Sequence, residues 1–163
     1  MDIFIQVIEN KLMKVVDFLI IVLMSSLVIM VFFQVLNRFI LHIPAAWTEE
    51  MARYNFVWVS LYGSVKALKM GSHLSVDILV ETMKSENKKK VINFIGGLLV
   101  IVFSIILTVT GFQYMIGNFG VDCEFGPFPL AIIYSAVPIT GILLILVSMV
   151  QIFQQVVSLR GDR

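Results

Sequence analysis

Cysteine is nearly absent from this 163-residue chain. The single one, Cys123, rules out an internal disulfide, a CxxC redox pair and a cysteine-based metal site. Charge is scarce too: Asp, Glu, Lys and Arg make up 14% of the residues, against about 25% in ordinary soluble domains. A soluble fold of this size shows most of its residues to water, and so little charge cannot cover that surface. Neither sign dominates. Twelve Lys and Arg against eleven Asp and Glu leave a net charge of +1, with no electrostatic footprint for nucleic acid. Gly-x-Ser-x-Gly, HExxH and P-loop signatures are missing as well, and no catalytic residue is expected. What abounds is apolar: 59% of the side chains, with a mean hydropathy of +0.96. The balance describes an integral membrane protein.

Charge-free stretches locate the spans. Residues 18–37, 91–121 and 125–159 carry no Asp, Glu, Lys or Arg. Each supplies the roughly 20 apolar residues that cross a ~30 Å hydrocarbon layer. A fourth span is less obvious, because only 12 uncharged residues separate Arg53 from Lys66. Yet 48–70 reads as one helix. Pro44 precedes it, Thr48 caps it, Glu49 and Glu50 sit at the positive end of its dipole, and Gly71 closes it. At its rise per residue it extends about 34 Å, enough to cross with its charges near the ends. The expectation is one all-α membrane domain over 1–163, with four transmembrane helices at about 16–40, 48–70, 91–115 and 129–154. The first is expected to be retained, since its apolar run is long and no small-x-small cleavage site follows before Arg38.

With the N-terminus inside, ten of the twelve basic residues fall on the cytoplasmic side and only Arg38 and Arg53 outside. Both termini are therefore expected in the cytoplasm. Amphipathic segments are expected on the inner surface at about 2–13, where Ile3, Phe4, Val7, Ile8 and Leu12 recur at helical spacing, and at about 74–84. Lys88, Lys89 and Lys90 are expected to hold the third span at the lipid headgroups. Pro138 is expected to kink the fourth. No repeat, low-complexity tract or soluble domain stands out.

Ionisable groups deep in a span usually mark function, and spans one, three and four have none. Gln34 and Asn37 suit hydrogen bonds to a neighbouring helix. His42 follows span one outside and His73 follows span two inside, roughly 30 Å apart. They cannot share a haem or a metal ion, and neither a cofactor nor a metal site is expected.

Span two concentrates the information. On a helical wheel Glu49, Arg53, Phe56, Ser60, Gly63, Ala67 and Gly71 fall within an arc of about 80°. Gly63, Ala67 and Gly71 form a small-xxx-small ladder that permits close helix approach. Glu49 and Arg53 are spaced i, i+4 in the favourable order for an ion pair, and Glu50 lies i, i+3 from Arg53. Either this face packs on the chain's own helices or it is buried against a partner; the residues leave both open. Trp47 fits the interfacial aromatic belt. Trp58, deeper, faces lipid or fills a partner groove.

The run Trp47-Thr48-Glu49-Glu50-Met51-Ala52-Arg53-Tyr54, then Phe56, Trp58, Gly63, Ala67, Gly71-Ser72-His73 and Val76-Asp77, resembles the small membrane subunit of the tripartite ATP-independent periplasmic (TRAP) transporters. That family repeats Trp-x-Glu-Glu followed by Arg, an aromatic helix with Gly and Ala, and Gly-x-His-x-x-Val-Asp. The chain departs from it at Met70 and Ser72, where an arginine or acidic residue often stands. The resemblance implies a bacterial inner-membrane system in which a periplasmic binding protein captures an acidic organic solute, such as sialic acid or a C4-dicarboxylate. A large membrane subunit then carries the solute inward with sodium by an elevator movement. This chain would be the non-catalytic scaffold of that large subunit, and a docking aid for the binding protein. Glu49, Glu50 and Arg53 would cluster at the partner interface, and His73 and Asp77 would hydrogen-bond at the inner turn. The rival reading is an autonomous small homodimeric transporter, which needs an acidic residue deep in a span that this chain lacks. A haem-anchoring subunit is disfavoured by the histidine placement.

Overall fold

A computed structural model describes residues 2–42, 46–70, 86–124 and 128–161. The described residues are helical throughout, apart from turns and one isolated bridge, Asp122 to Pro129. The helices are α1 (Asp2–Leu36), α2 (Ala46–Lys69), α3 (Glu86–Gly117), the short α4 (Leu130–Tyr134) and α5 (Ala136–Gly161). The amphipathic segment 2–13 is helical and continues into α1 without a break. The segment 74–84 lies outside the described residues.

Three stretches are long and apolar enough to cross a membrane: Glu9–Ile40, Ile92–Gly117 and Leu130–Gln154. Helix α2 is comparably long but carries Glu49, Glu50, Arg53, Lys66 and Lys69. The outward faces of α1 and α3 present Phe18, Ile29, Phe32, Leu99 and Phe103, all well exposed. Water would not solvate so dense an apolar coat; lipid does. The chain is an all-α membrane protein.

Two antiparallel pairs build the bundle, α1 with α2 and α3 with α5, and they join along α2 and α5. The α3–α5 seam is made by small residues. A Cβ on Gly97 would come 3.0 Å from Ile152, one on Gly111 would come 2.8 Å from Pro138, and one on Gly141 would overlap the Thr108 hydroxyl. Ser104, Thr140 and Ser148 are fully buried on the same two helices. Inside a membrane, where apolar surface gains little from leaving lipid, such close backbone approach is what holds helices together. Ser104 and Thr108 return their hydroxyl hydrogens to the carbonyls of Val100 and Ser104, each at 2.7 Å.

The α1–α2 pair is tied at three levels, by one aromatic contact and two sets of polar ones. Phe33 and Trp47 meet at one end with ring centroids 6.2 Å apart. Ser26 Oγ donates to Asn55 Oδ1 at 3.1 Å midway. At the other end Lys66 Nζ is 2.6 Å from Asp17 Oδ1, and Lys69 Nζ is 3.4 Å from Glu9 Oε1. Gln151 of α5 adds a 2.8 Å bond from Nε2 to the carbonyl of Leu68. The core between the pairs is Met13, Val65, Leu68, Leu144 and Val147.

Two irregularities have local causes. Pro138 lacks an N–H for the carbonyl of Tyr134 and its ring crowds that carbonyl. The expected kink accordingly appears as a break at Ser135, where α4 ends and α5 begins. Helix α1 ends in a π-helical turn over Asn37–Leu41, which buries Asn37 and closes with His42 in the left-handed region at φ 56°.

Candidate functional site

The site builds on the first two turns of α2. The helix starts at Ala46, two residues before Thr48, so Thr48 sits inside the first turn, fully buried, rather than capping it. From there the acidic motif divides. Glu49 pairs with Arg53 across one turn at 3.5 Å, and both side chains are more than 60% exposed. Glu50 turns the other way. Its Oε1 accepts the hydroxyl hydrogen of Tyr54 and, at 3.1 Å, the backbone N–H of Glu124 in the loop between α3 and α4. That loop is closed on itself by Cys123 N–H to Phe128 O at 2.9 Å and Leu130 N–H to Val121 O at 2.8 Å. Glu50 therefore clasps a loop of its own chain to α2.

The clasp shapes a surface crevice of about 690 Å3 lined by Glu49, Glu50, Arg53, Asp122 and Glu124 among others. Four carboxylates against one guanidinium make it net acidic. Among the described residues, no three His, Cys, Asp or Glu side chains are grouped to hold a metal ion.

Lower on α2, the stripe of Glu49, Arg53, Phe56, Ser60 and Ala67 points away from the bundle; all five are exposed. A Cβ on Gly63 would meet nothing within 4 Å. The opposite face carries the buried Thr48, Ala52, Tyr62, Val65 and Leu68. The small-residue ladder is thus not used by the chain's own described helices. Gly71, His73, Val76 and Asp77 lie outside the described residues, and so does any test of His73 against Asp77.

The tryptophans part company. Trp47 is exposed at 46% beside Phe33. Trp58 is half-buried and packs against Tyr62, the tilted rings 5.4 Å apart between centroids. It lines an open crevice of about 400 Å3 with Leu19, Leu23, Cys123, Phe128 and Ile132, so part of its ring packs within the chain.

Sequence reading missed Tyr54 and Asn55. Tyr54 had a signal, its i, i+4 spacing from Glu50. Asn55 had one too, as an amide inside an apolar stretch. Its Nδ2 donates to the Met51 carbonyl at 3.2 Å while its Oδ1 receives Ser26.

Comparison with known proteins gives the same direction. The family model described as tripartite ATP-independent periplasmic transporters, DctQ component, matches residues 27–158. A protein of Haemophilus influenzae named as a TRAP transporter small permease protein is 28% identical over 82% of this chain and 81% of its own length. The sialic acid TRAP transporter permease protein SiaT of Haemophilus influenzae is 30% identical over 68% of this chain, which is 18% of that protein. The isethionate TRAP transporter permease protein DctMQ of Oleidesulfovibrio alaskensis is 39% identical over 37% of this chain and 10% of its own length. A family match over most of the chain, a relative of similar size, and membrane-spanning helices around an Arg-paired acidic motif converge: this chain belongs to the DctQ family, the small membrane subunit of TRAP transporters.

Proposed function

We propose that this chain is the non-catalytic frame of a three-part, sodium-coupled transporter for an acidic organic solute. It crosses the bacterial inner membrane four times with both termini in the cytoplasm, and it scaffolds a large permease subunit that moves the solute as an elevator. The observation that carries the reading is the free face of α2. Elsewhere the bundle shows lipid mostly large apolar side chains, whereas here it shows an ion pair, a single Phe56, and then Ser60, Gly63 and Ala67. Lipid tails have no use for such a face, while a second protein helix gains close backbone contact from it.

Helix α2 serves as the fourth crossing in this reading. It shadows α1 from Trp47 beside Phe33 to Lys69 beside Glu9, and its 24 residues extend about 36 Å. The matches to SiaT and DctMQ, each covering a small part of a longer permease, support a partner that is itself a large permease. Their names, for sialic acid and isethionate, support an organic acid as solute, with C4-dicarboxylates in the same class. The acidic outer crevice is the proposed contact for the periplasmic binding protein.

The test is recovery of the complex. A tag after Arg163 and extraction of native membranes in mild detergent should bring down a large multi-spanning protein in fixed ratio. Recovery of this chain alone, as monomer or homodimer, would overturn the reading.

A further inference from the structure

Between α1 and α5 the bundle is open. A cleft of about 270 Å3 runs there, walled by Leu12 and Val16 of α1 and by Leu143, Leu146 and Val150 of α5, with Val65 of α2 as its floor. Leu146 is 44% exposed, so the cleft opens sideways to the surrounding lipid. One lining residue is not apolar. Glu9 stands at the end of the cleft, about 10 Å along α1 from Val16. It faces Lys69, whose ammonium also donates to Asn10 Oδ1 at 3.1 Å. The two charged side chains are only 13% and 25% exposed.

A hydrocarbon slot with a carboxylate and an ammonium side by side at its mouth has the layout of a phospholipid. An acyl chain fills the slot, flexible enough to enter from the side. The headgroup then lies at the Glu9–Lys69 pair, where the apolar stretch of α1 begins. An anionic headgroup can set its phosphate at Lys69 but brings no cation to Glu9. A headgroup with both charges meets both residues, its phosphate at Lys69 and its cation at Glu9. A primary ammonium donates hydrogen bonds to the carboxylate, which a quaternary ammonium cannot do. We infer that the α1–α5 cleft binds a phospholipid with a primary ammonium headgroup, of the phosphatidylethanolamine class. The site does not depend on the proposed transport role; the proposed orientation only makes its leaflet the cytoplasmic one.

The experiment uses the full chain, with whatever subunit co-purifies, in phosphatidylcholine vesicles containing a phosphatidylethanolamine that carries a diazirine in its acyl chain. Illumination should label peptides covering residues 12–16 and 143–150. Unlabelled phosphatidylethanolamine should compete about tenfold better than phosphatidylcholine or phosphatidylglycerol, the discrimination expected of one charge-assisted hydrogen bond. Glu9→Gln should erase that preference while the label stays in place. Leu146→Trp, at a half-exposed position, should fill the cleft and move the label elsewhere with thermal unfolding unchanged. Label spread evenly along the exposed faces of α1 and α3 would overturn the inference, as would equal competition by all three lipids. Loss of labelling in an intact complex, with cross-links to the large subunit or a second copy in its place, would overturn it too.

Discussion

The carboxylate of Glu50 receives the backbone N–H of Glu124 at 3.1 Å, joining two positions 74 residues apart in the chain. Neighbouring Cys123 is buried at 7% exposure and is the chain's only thiol. The thiol therefore reports on the clasp. Glu50→Ala should raise the rate of Cys123 labelling by a membrane-impermeant maleimide about tenfold, as expected when a charged hydrogen-bond acceptor is lost. Tyr54→Phe, which leaves the Glu124 bond in place, should have a smaller effect. Equal labelling of all three proteins would mean that the loop is held by other contacts.

Gly63 and Gly141 make an opposed pair of tests. Gly141→Leu drives a side chain into Thr108 and Ser104 and should destabilise the isolated chain by about 1–3 kcal/mol, the usual range for overpacking. Gly63→Leu enters open space and should leave thermal unfolding of the isolated chain unchanged while reducing recovery of the large subunit. Unfolding in detergent and co-purification separate the two. A Gly63→Leu chain that recovers its partner as well as wild type would remove the docking face proposed for α2.

Arg53→Glu sets two like charges, with Glu49, one turn apart on an exposed surface. Within the chain the lost pair is worth no more than about 1 kcal/mol, because both partners are solvated. Fold and expression should therefore be unaffected, and solute uptake or complex recovery should fall.

Lys66 and Asp17 are each about two-fifths exposed. Removing either should cost about 0.5–1 kcal/mol, and the reversal Lys66→Asp with Asp17→Lys should restore part of it. A double-mutant cycle on the detergent-solubilised chain measures the coupling. Additive losses would mean that the pair does not hold α1 to α2.

Much of the fold is written in the residues. Charge-free runs marked α1, α3 and α5, because in lipid a helix has no alternative way to satisfy its backbone. The motif at Trp47 to Arg53 marked the N-terminal end of α2. What stayed hidden depends on orientation about a helix axis. Nothing in the residue types said that Glu49 would look out and Glu50 in, since the two differ by one position, about 100° on a helix. Trp58 suffered the same ambiguity. The α3–α5 seam was overlooked because Gly97, Ser104, Thr108 and Gly111 sit in a background of uniformly apolar residues. Their spacing of seven, four and three is the signal that was there to read.

The joint between the two helix pairs also has a bearing on how the molecule is made. Each pair, α1 with α2 and α3 with α5, is internally complete, with its own polar ties or its own small-residue seam. During synthesis the first hairpin can settle in the bilayer before the second has left the ribosome. The last event is then the sliding together of two finished halves along α2 and α5, sealed by Gln151 on the carbonyl of Leu68. A chain cut between those halves, with the pieces made separately in one cell, should still find its way to the same bundle.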